Sequence, residues 1–234
     1  MEMKEQEKCS YFEYVNYGTT WTLNDFFDAN GYLIIKNLCD PKKLIHPVPE
    51  ERGILDWRHT DDINDFKHTH EVELQVQGAV ARYGHPQYRK IHIDIKNILE
   101  QAIGRRLYET YFYDRFYFPG QELERHTDRD ACEISVTIHV GTNLKEDWPF
   151  WIKTPDVFTD STKNKFVRKG VNKSFIIEPG DGVVYKGCER PHWRDPMPGV
   201  IESRLDDSLK LYYHQIFFHY VLQDGLRAHF AWDK

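Results

Sequence analysis

The sequence predicts a mainly β domain with flanking helices (α+β), the helices packed on the outside of a closed or sandwiched sheet. Three observations predict it. Both helical stretches fall before Gly104. After Gly104 the hydrophobic period changes from helical to two-residue, and about seven strand-like runs follow. The 234 residues, 40% hydrophobic and 15% aromatic, are enough for one core of generous size. The expected organisation is a single domain, with residues 1–104 bracing a β core in 105–234.

The elements follow in order. "TLNDFFDANG" reads as a short helix, with Thr22 as N-cap, Asp25 in the first turn and Gly31 as the stop. "YLIIKNL" is a buried strand. Residues 39–90 read as loop-rich, punctuated by Pro41, Pro47, Pro49, Gly53, Gly78, Gly84 and Pro86. In "KIHIDIKNILEQAIG", Ile91, Ile95, Ile98, Leu99 and Ala102 form one stripe, and Gly104 ends the helix. Strands then run through "YETYFYDRFYF", which turns at Pro119-Gly120, and "CEISVTIHVG". They continue through "DWPFWIKT", "KSFIIEP", "GVVYKG" and "LYYHQIFFHYVL".

Composition narrows the function classes. A net charge of −6 points neither to nucleic acid nor to an anionic membrane. No run approaches a membrane span. The start "MEMKEQEKCS" is charged and has no apolar core of a signal peptide. Cys9, Cys39, Cys132 and Cys188 are scattered, which reads as reduced thiols in a cytoplasmic chain. The sequence leaves the oligomeric state open.

The chemistry concentrates in His126, Asp128 and His192. On an extended chain the two side chains of H-x-D project from one face, so an imidazole and a carboxylate can bind the same ion. His192 follows a Pro-Gly-Asp-Gly turn and a short strand, on a run expected to lie beside His126. Two histidines and one carboxylate with open positions opposite suit a non-haem Fe(II) site that must also take a co-substrate and O₂. The alternative for the bare tripeptide is a turn-forming Asp beside a loop His.

Five stretches together resemble the Fe(II)/2-oxoglutarate-dependent dioxygenases, in the prolyl-hydroxylase-like branch with its bacterial and phage homologues. They are "GAVARYGHP" (78–86), "YETYFYDRFYFPGQELERHTDRDACEISVTIHVG" (108–141), "WPFWI" (148–152), "PGDGVVYKGCERPHWRD" (179–195) and "HQIFFHYV" (214–221). The resemblance implies a double-stranded β-helix, or jelly roll. It implies His126, Asp128 and His192 as iron ligands, and 2-oxoglutarate as co-substrate, decarboxylated to succinate as a C–H bond is hydroxylated. Asp at 128, rather than Gly or Ala, disfavours the halogenase variant. The implied substrate is a prolyl residue in a peptide or a small amino-acid-like molecule.

Here the chain departs from the family, whose members usually carry a basic residue about ten positions after the distal His. That window is the acidic "GVIESRLDDSL", where Arg204 and nearby Lys210 fit poorly. By parity Arg194 points with His192, and a guanidinium grips a carboxylate with two parallel bonds. The alternative is a surface pair with Asp195. The same parity groups Tyr113, Arg115 and Tyr117 before the motif, and Ser135, Thr137 and His139 after it. Tyr117, Thr137, His139 and Lys210 join Arg194 as candidate co-substrate contacts; Tyr113, Arg115 and Arg129 are candidate substrate contacts. Gln215 and His219 are weaker candidates, and Trp148, Phe150 and Trp151 read as core.

Two other clusters carry blander readings. His68 and His70 lack a third ligand, and Lys163, Lys165, Arg168, Lys169 and Lys173 read as a solvated hairpin. The competing classes are a cupin-type metalloenzyme without 2-oxoglutarate, which would normally open with H-x-H, and a non-catalytic jelly-roll binding protein. Residues 44–77 and 156–174 are the loops expected to carry selectivity.

Overall fold

The computed structural model describes residues 22–69, 72–160 and 165–232. Cys9, His70 and Lys163 lie outside the described residues, as does the charged start. Three α-helices and fourteen strands are present among the described residues. The helices are α1 (Leu23–Asn30), α2 (Arg89–Ile103) and α3 (Val200–Leu205). The strands begin with β1 (Tyr32–Ile35), β2 (Gly53–Asp56), β3 (Lys67–Thr69), β4 (Val80–Tyr83), β5 (Leu107–Tyr117), β6 (Leu123–His126) and β7 (Ile134–Thr142). They end with β8 (Phe150–Lys153), β9 (Val157–Asp160), β10 (Lys165–Arg168), β11 (Asn172–Phe175), β12 (Gly182–Tyr185), β13 (His192–Arg194) and β14 (Tyr213–Leu222).

Local chemistry sets the helix ends. Thr22 and Asp25 form a reciprocal capping box, and Gly31 ends α1 at φ 75°, its N–H donating to Phe27 O at 2.7 Å. α2 turns His92, Ile95, Leu99, Ala102 and Ile103 inward, with Ile91 and Ile98 at the edge of the same cluster.

The strands form an eight-stranded sheet in the order β1-β12-β7-β14-β5-β4-β2-β3, a four-stranded sheet β11-β8-β13-β6, and the hairpin β9-β10. Period-two alternation on β7 sorts the two faces. Val136, Ile138 and Val140 pack outward beneath α1 and α2 with Phe112, Ile216 and Phe218. Ser135, Thr137 and His139 turn to the interior between the sheets. Two clusters close that interior. Tyr32, Ile34, Val183 and Tyr185 meet Phe150, Ile152 and Phe175 at one end. Tyr113, Tyr117, Tyr213 and Phe217 meet Leu123 and Trp148 at the other. This is the jelly roll with helices on one sheet.

Residues 39–90 hold more sheet than the loop reading expects. β2, β3 and β4 extend the large sheet past β5, with β2 and β4 parallel. They are three or four residues long, too short for a period to show between glycines and prolines. The turn before β12 is held by Asp181, whose buried carboxylate accepts from Lys36 Nζ, Asn37 N–H and Glu178 N–H. Gly180 beside it sits at φ 93°, where a Cβ would come within 2.6 Å of Cys39 O.

Candidate metal centre

His126 closes β6 and His192 opens β13, and the two are direct cross-strand partners. Such pairs share a face; the ring centroids are 4.3 Å apart. In each ring Nδ1 meets a backbone carbonyl, Glu124 O at 2.8 Å and Arg190 O at 2.9 Å. A carbonyl only accepts, so Nδ1 carries the proton and a neutral ring presents its Nε2 lone pair. Both Nε2 atoms face Asp128 Oδ1, at 3.5 and 3.4 Å.

Asp128 reaches this point by a different route from the strand parity expected of H-x-D. β6 ends at His126, and Asp128 lies in the loop beyond it. Its N–H donates to Gly187 O at 2.9 Å. Its Oδ2 accepts from Ser135 Oγ at 2.7 Å. Gly187 permits this approach: a Cβ there would stand 2.3 Å from both Asp128 Oδ2 and Cys132 O. Ser135 has one hydroxyl proton, given to Asp128, so its oxygen accepts from His219 Nδ1–H at 3.0 Å. Burial works to raise the Asp128 carboxyl, but His192 and His126 outweigh it and hold it well below the usual range. His126 is moved up; burial opposes this, and the Asp128 and Glu124 hydrogen bonds prevail.

The residues fit a metal ion. The donor atoms of His126, Asp128 and His192 lie within 4.8 Å of one another. Donors bound at about 2.1 Å in one coordination shell stand about 3.0–3.5 Å apart, which the Nε2–Oδ1 separations match. Two imidazole lone pairs and a carboxylate oxygen facing one another repel unless a cation or proton stands between them. Asp128, Cys132 and His219 form a second group within the same limit. There Ser135 already bridges Asp128 and His219, and Cys132 Sγ contacts Tyr111 Oη at 3.2 Å.

Arg194 is the second feature of the chamber. It is 0% exposed, so the surface pairing with Asp195 is not what the structure contains. Nε donates to Gln215 Oε1 at 3.0 Å, one terminal nitrogen to Trp148 O, and the other to Tyr213 Oη at 3.2 Å. The guanidinium also stacks over Trp148 and Tyr213, each 4.6 Å from the ring centroid. All three acceptors are neutral, and among the described residues no carboxylate pairs with it. Gln215 passes the network on to Thr137 Oγ1 at 3.0 Å.

The other sequence candidates divide. His139 is buried and stacked on Tyr213, with centroids 4.2 Å apart. Its Nδ1–H donates to Ile177 O at 2.7 Å, while Nε2 is buried without a partner. Burial pushes it down to about 4. Tyr113, Arg115 and Tyr117 share the interior of β5, with Arg115 donating to Tyr117 Oη at 3.1 Å. Arg129 stacks on Tyr111 and lines a cleft of about 250 Å³ with Arg58, Tyr83 and Thr69, next in sequence to Asp128. A larger cleft of about 480 Å³, between α2 and the 228–232 turn, contains none of the triad. Lys210 is exposed, at φ 41°, on the loop before β14, and Arg204 is exposed on α3. The structure brings neither to the chamber.

Three contributors carry no sequence signal. Tyr213 opens β14 in an aromatic run that reads as core. Glu73 and Gln75 come from the irregular stretch before β4, where nothing in "VELQ" marks an inward turn. Glu73 is nonetheless buried against Arg115, its Oε2 accepting from Nε at 3.2 Å and from a terminal nitrogen at 2.9 Å.

Solved structures share this arrangement of sheets. A prolyl-4-hydroxylase from Pseudomonas putida matches over 84% of this chain and 96% of its own, at 14% identity and a TM-score of 0.53. This chain has the fold of the Fe(II)/2-oxoglutarate-dependent oxygenases. HygX from Streptomyces hygroscopicus, solved with nickel and 2-oxoglutarate bound, matches over 83% of this chain and 84% of its own, at 10% identity and a TM-score of 0.51. A prolyl hydroxylase from Trichoplax adhaerens, in complex with a hypoxia inducible factor peptide fragment, matches over 85% and 87%, at 13% identity and a TM-score of 0.50. No protein-family model and no curated protein matches the sequence. No helix among the described residues is long and apolar enough to cross a membrane.

Proposed function

We propose that the chain is an Fe(II)- and 2-oxoglutarate-dependent oxygenase acting as a hydroxylase on a small molecule or peptide. One observation carries the reading. Two imidazoles with proton-bearing Nδ1 and one carboxylate oxygen converge on a single point, beside a buried guanidinium that no carboxylate among the described residues neutralises. The first suits Fe(II), and the second suits the far carboxylate of 2-oxoglutarate. When bound, Fe(II), 2-oxoglutarate and O₂ supply the oxidation that hydroxylates an unactivated C–H and releases succinate and CO₂.

The protein's own residues hold and orient. The Glu124 and Arg190 carbonyls fix the ring tautomers. Ser135 engages Asp128 Oδ2, so that Oδ1 is the oxygen turned to the ion. Arg194 retains two N–H groups beyond its three bonds for an incoming carboxylate. Trp148, Phe150 and Tyr213 around it exclude water, which strengthens that pairing. Neutral His139 offers only a lone pair at Nε2, so it assists a carboxylate by taking up a proton as the anion enters. Thr137 sets Gln215, and Gln215 sets Arg194.

The test is O₂-dependent succinate release from 2-oxoglutarate by Fe(II)-loaded protein, with His126→Ala and Asp128→Ala as controls. Release by the parent and none by the folded variants is expected. Equal release from all three would refute the reading. Metal binding without any 2-oxoglutarate dependence would point instead to cupin-type chemistry.

A further inference from the structure

Arg115 differs from Arg194 in having a carboxylate of its own. Glu73 is 5% exposed and grips the guanidinium, which is 1% exposed. The next residue of that segment to touch Arg115 is Gln75, which is itself exposed. Its Oε1 accepts from Arg115 at 2.8 Å, and its Nε2 lies 3.0 Å from His126 Nε2. One amide therefore spans from Arg115 to a residue of the metal triad. It also points a donor at the lone pair that a metal ion would use.

Residues 72–75 lie just ahead of Val76, which is 2% exposed and packed in the core. Val72 is 52% and Leu74 93% exposed, on either side of the buried Glu73. Two apolar side chains stand in water while a carboxylate is inserted, so the hold of 72–75 on the barrel is polar. Metal binding at His126 removes the Gln75 Nε2 contact and leaves Gln75 held by its Oε1 bond from Arg115. A buried guanidinium released by Glu73 needs another anion in the same volume. Arg194, with no carboxylate partner among the described residues, is the group assigned above to the co-substrate.

We propose that Arg115 recognises the carboxylate of the primary substrate, and that Glu73 occupies the position as an intramolecular stand-in until substrate arrives. The substrate class is then a free carboxylic acid, such as a free amino acid, rather than an internal residue of a peptide. Its target C–H lies a few bonds from the carboxylate, since one amide covers the distance from Arg115 to His126. The inference rests on the oxygenase reading above and selects among its substrates.

The test uses full-length protein loaded with Fe(II) and 2-oxoglutarate, given the proteinogenic L-amino acids and their methyl esters as probes. At least one free acid should stimulate succinate release while its ester does not. Glu73→Gln, by removing the competitor, should lower that acid's half-saturating concentration about tenfold or more. Arg115→Gln should abolish the response, and so should the Glu73→Gln/Arg115→Gln double variant, which removes both charges together and guards against misfolding of a single. In metal-free protein the same acid should speed amide exchange in residues 72–75. The inference is overturned if ester and acid act alike, if Arg115→Gln responds as the parent does, or if no acid binds Glu73→Gln more tightly. It is also overturned if Arg115→Gln mainly raises the half-saturating 2-oxoglutarate concentration, which would give Arg115 to the co-substrate and leave the oxygenase reading intact. A parent protein with no 2-oxoglutarate turnover removes both.

Discussion

Replacing Arg194 with methionine isolates the proposed co-substrate anchor. Methionine keeps much of the aliphatic volume against Trp148 and Phe150 while removing the charge and all five donors. Three of those donors serve Gln215, Trp148 and Tyr213, which leaves two for the ligand. Hydrogen bonds to a charged partner contribute about 1.5–3 kcal/mol each, so losing two costs about 3–6 kcal/mol of binding. That corresponds to a roughly 10²–10⁴-fold weaker affinity for 2-oxoglutarate. Thermal stability should fall far less, because the group removed is a buried charge without a counter-ion among the described residues. The assay is an anaerobic titration of the Fe(II) protein with 2-oxoglutarate, read by the visible absorption of the chelated complex. Half-saturation should rise while the amplitude at saturation is kept, since the triad is untouched. 2-Oxopentanoate, which lacks the far carboxylate, supplies the internal control. The parent should bind it more weakly than 2-oxoglutarate by a similar factor, and Arg194→Met should scarcely distinguish the two. An unchanged affinity in Arg194→Met, or a parent indifferent to the far carboxylate, refutes the reasoning.

Other expectations follow from the same geometry. Ser135→Ala frees Asp128 Oδ2 and should weaken Fe(II) binding by about 10–100-fold by equilibrium dialysis, with partial rescue by Ser135→Thr; unchanged affinity would assign Ser135 to packing alone. Asp114 is 0% exposed, paired with Arg82 and 2.6 Å from His214 Nε2, so Asp114→Asn should cost about 3–5 kcal/mol in denaturant unfolding and leave 2-oxoglutarate affinity near the parent value. The pH dependence has a definite sign. Burial pushes His85 and His219 down to about 4 and His92 to about 3, so the unfolded chain binds protons there that the folded chain does not. Stability should be full above about pH 6.5 and fall as pH drops towards 4, by about 3 kcal/mol for each such histidine. A flat unfolding free energy across that window would contradict this.

What the sequence made legible depended on local signals. The capping box of α1, the stripe of α2 and the alternation of β7 and β14 are short-range patterns, and the structure follows them. His192 opposite His126 was legible because the turn at 179–182 and the short β12 fix where the chain returns. The place of Asp128 was anticipated for a different reason from the one that holds: its position depends on Gly187 and Ser135, which are distant or unremarkable in sequence. Arg194 was visible by parity, yet its neutral surroundings come from Trp148 in the loop before β8 and from Gln215 and Tyr213 on β14. Lys210 was a reasonable basic candidate by order along the chain, but a left-handed turn before β14 leaves it in solvent. Glu73 and Gln75 were illegible because irregular backbone has no period from which an inward side chain could be read.

In the proposed site, His126, Asp128 and His192 hold Fe(II) while 2-oxoglutarate chelates it. The most direct measurement is the visible spectrum of the anaerobic protein with Fe(II), before and after 2-oxoglutarate. A charge-transfer band should appear only with both present, vanish in His126→Ala and Asp128→Ala, and survive in Ser135→Thr. A parent protein that binds Fe(II) and 2-oxoglutarate without the band, or a band that persists when Asp128 is removed, would contradict the account.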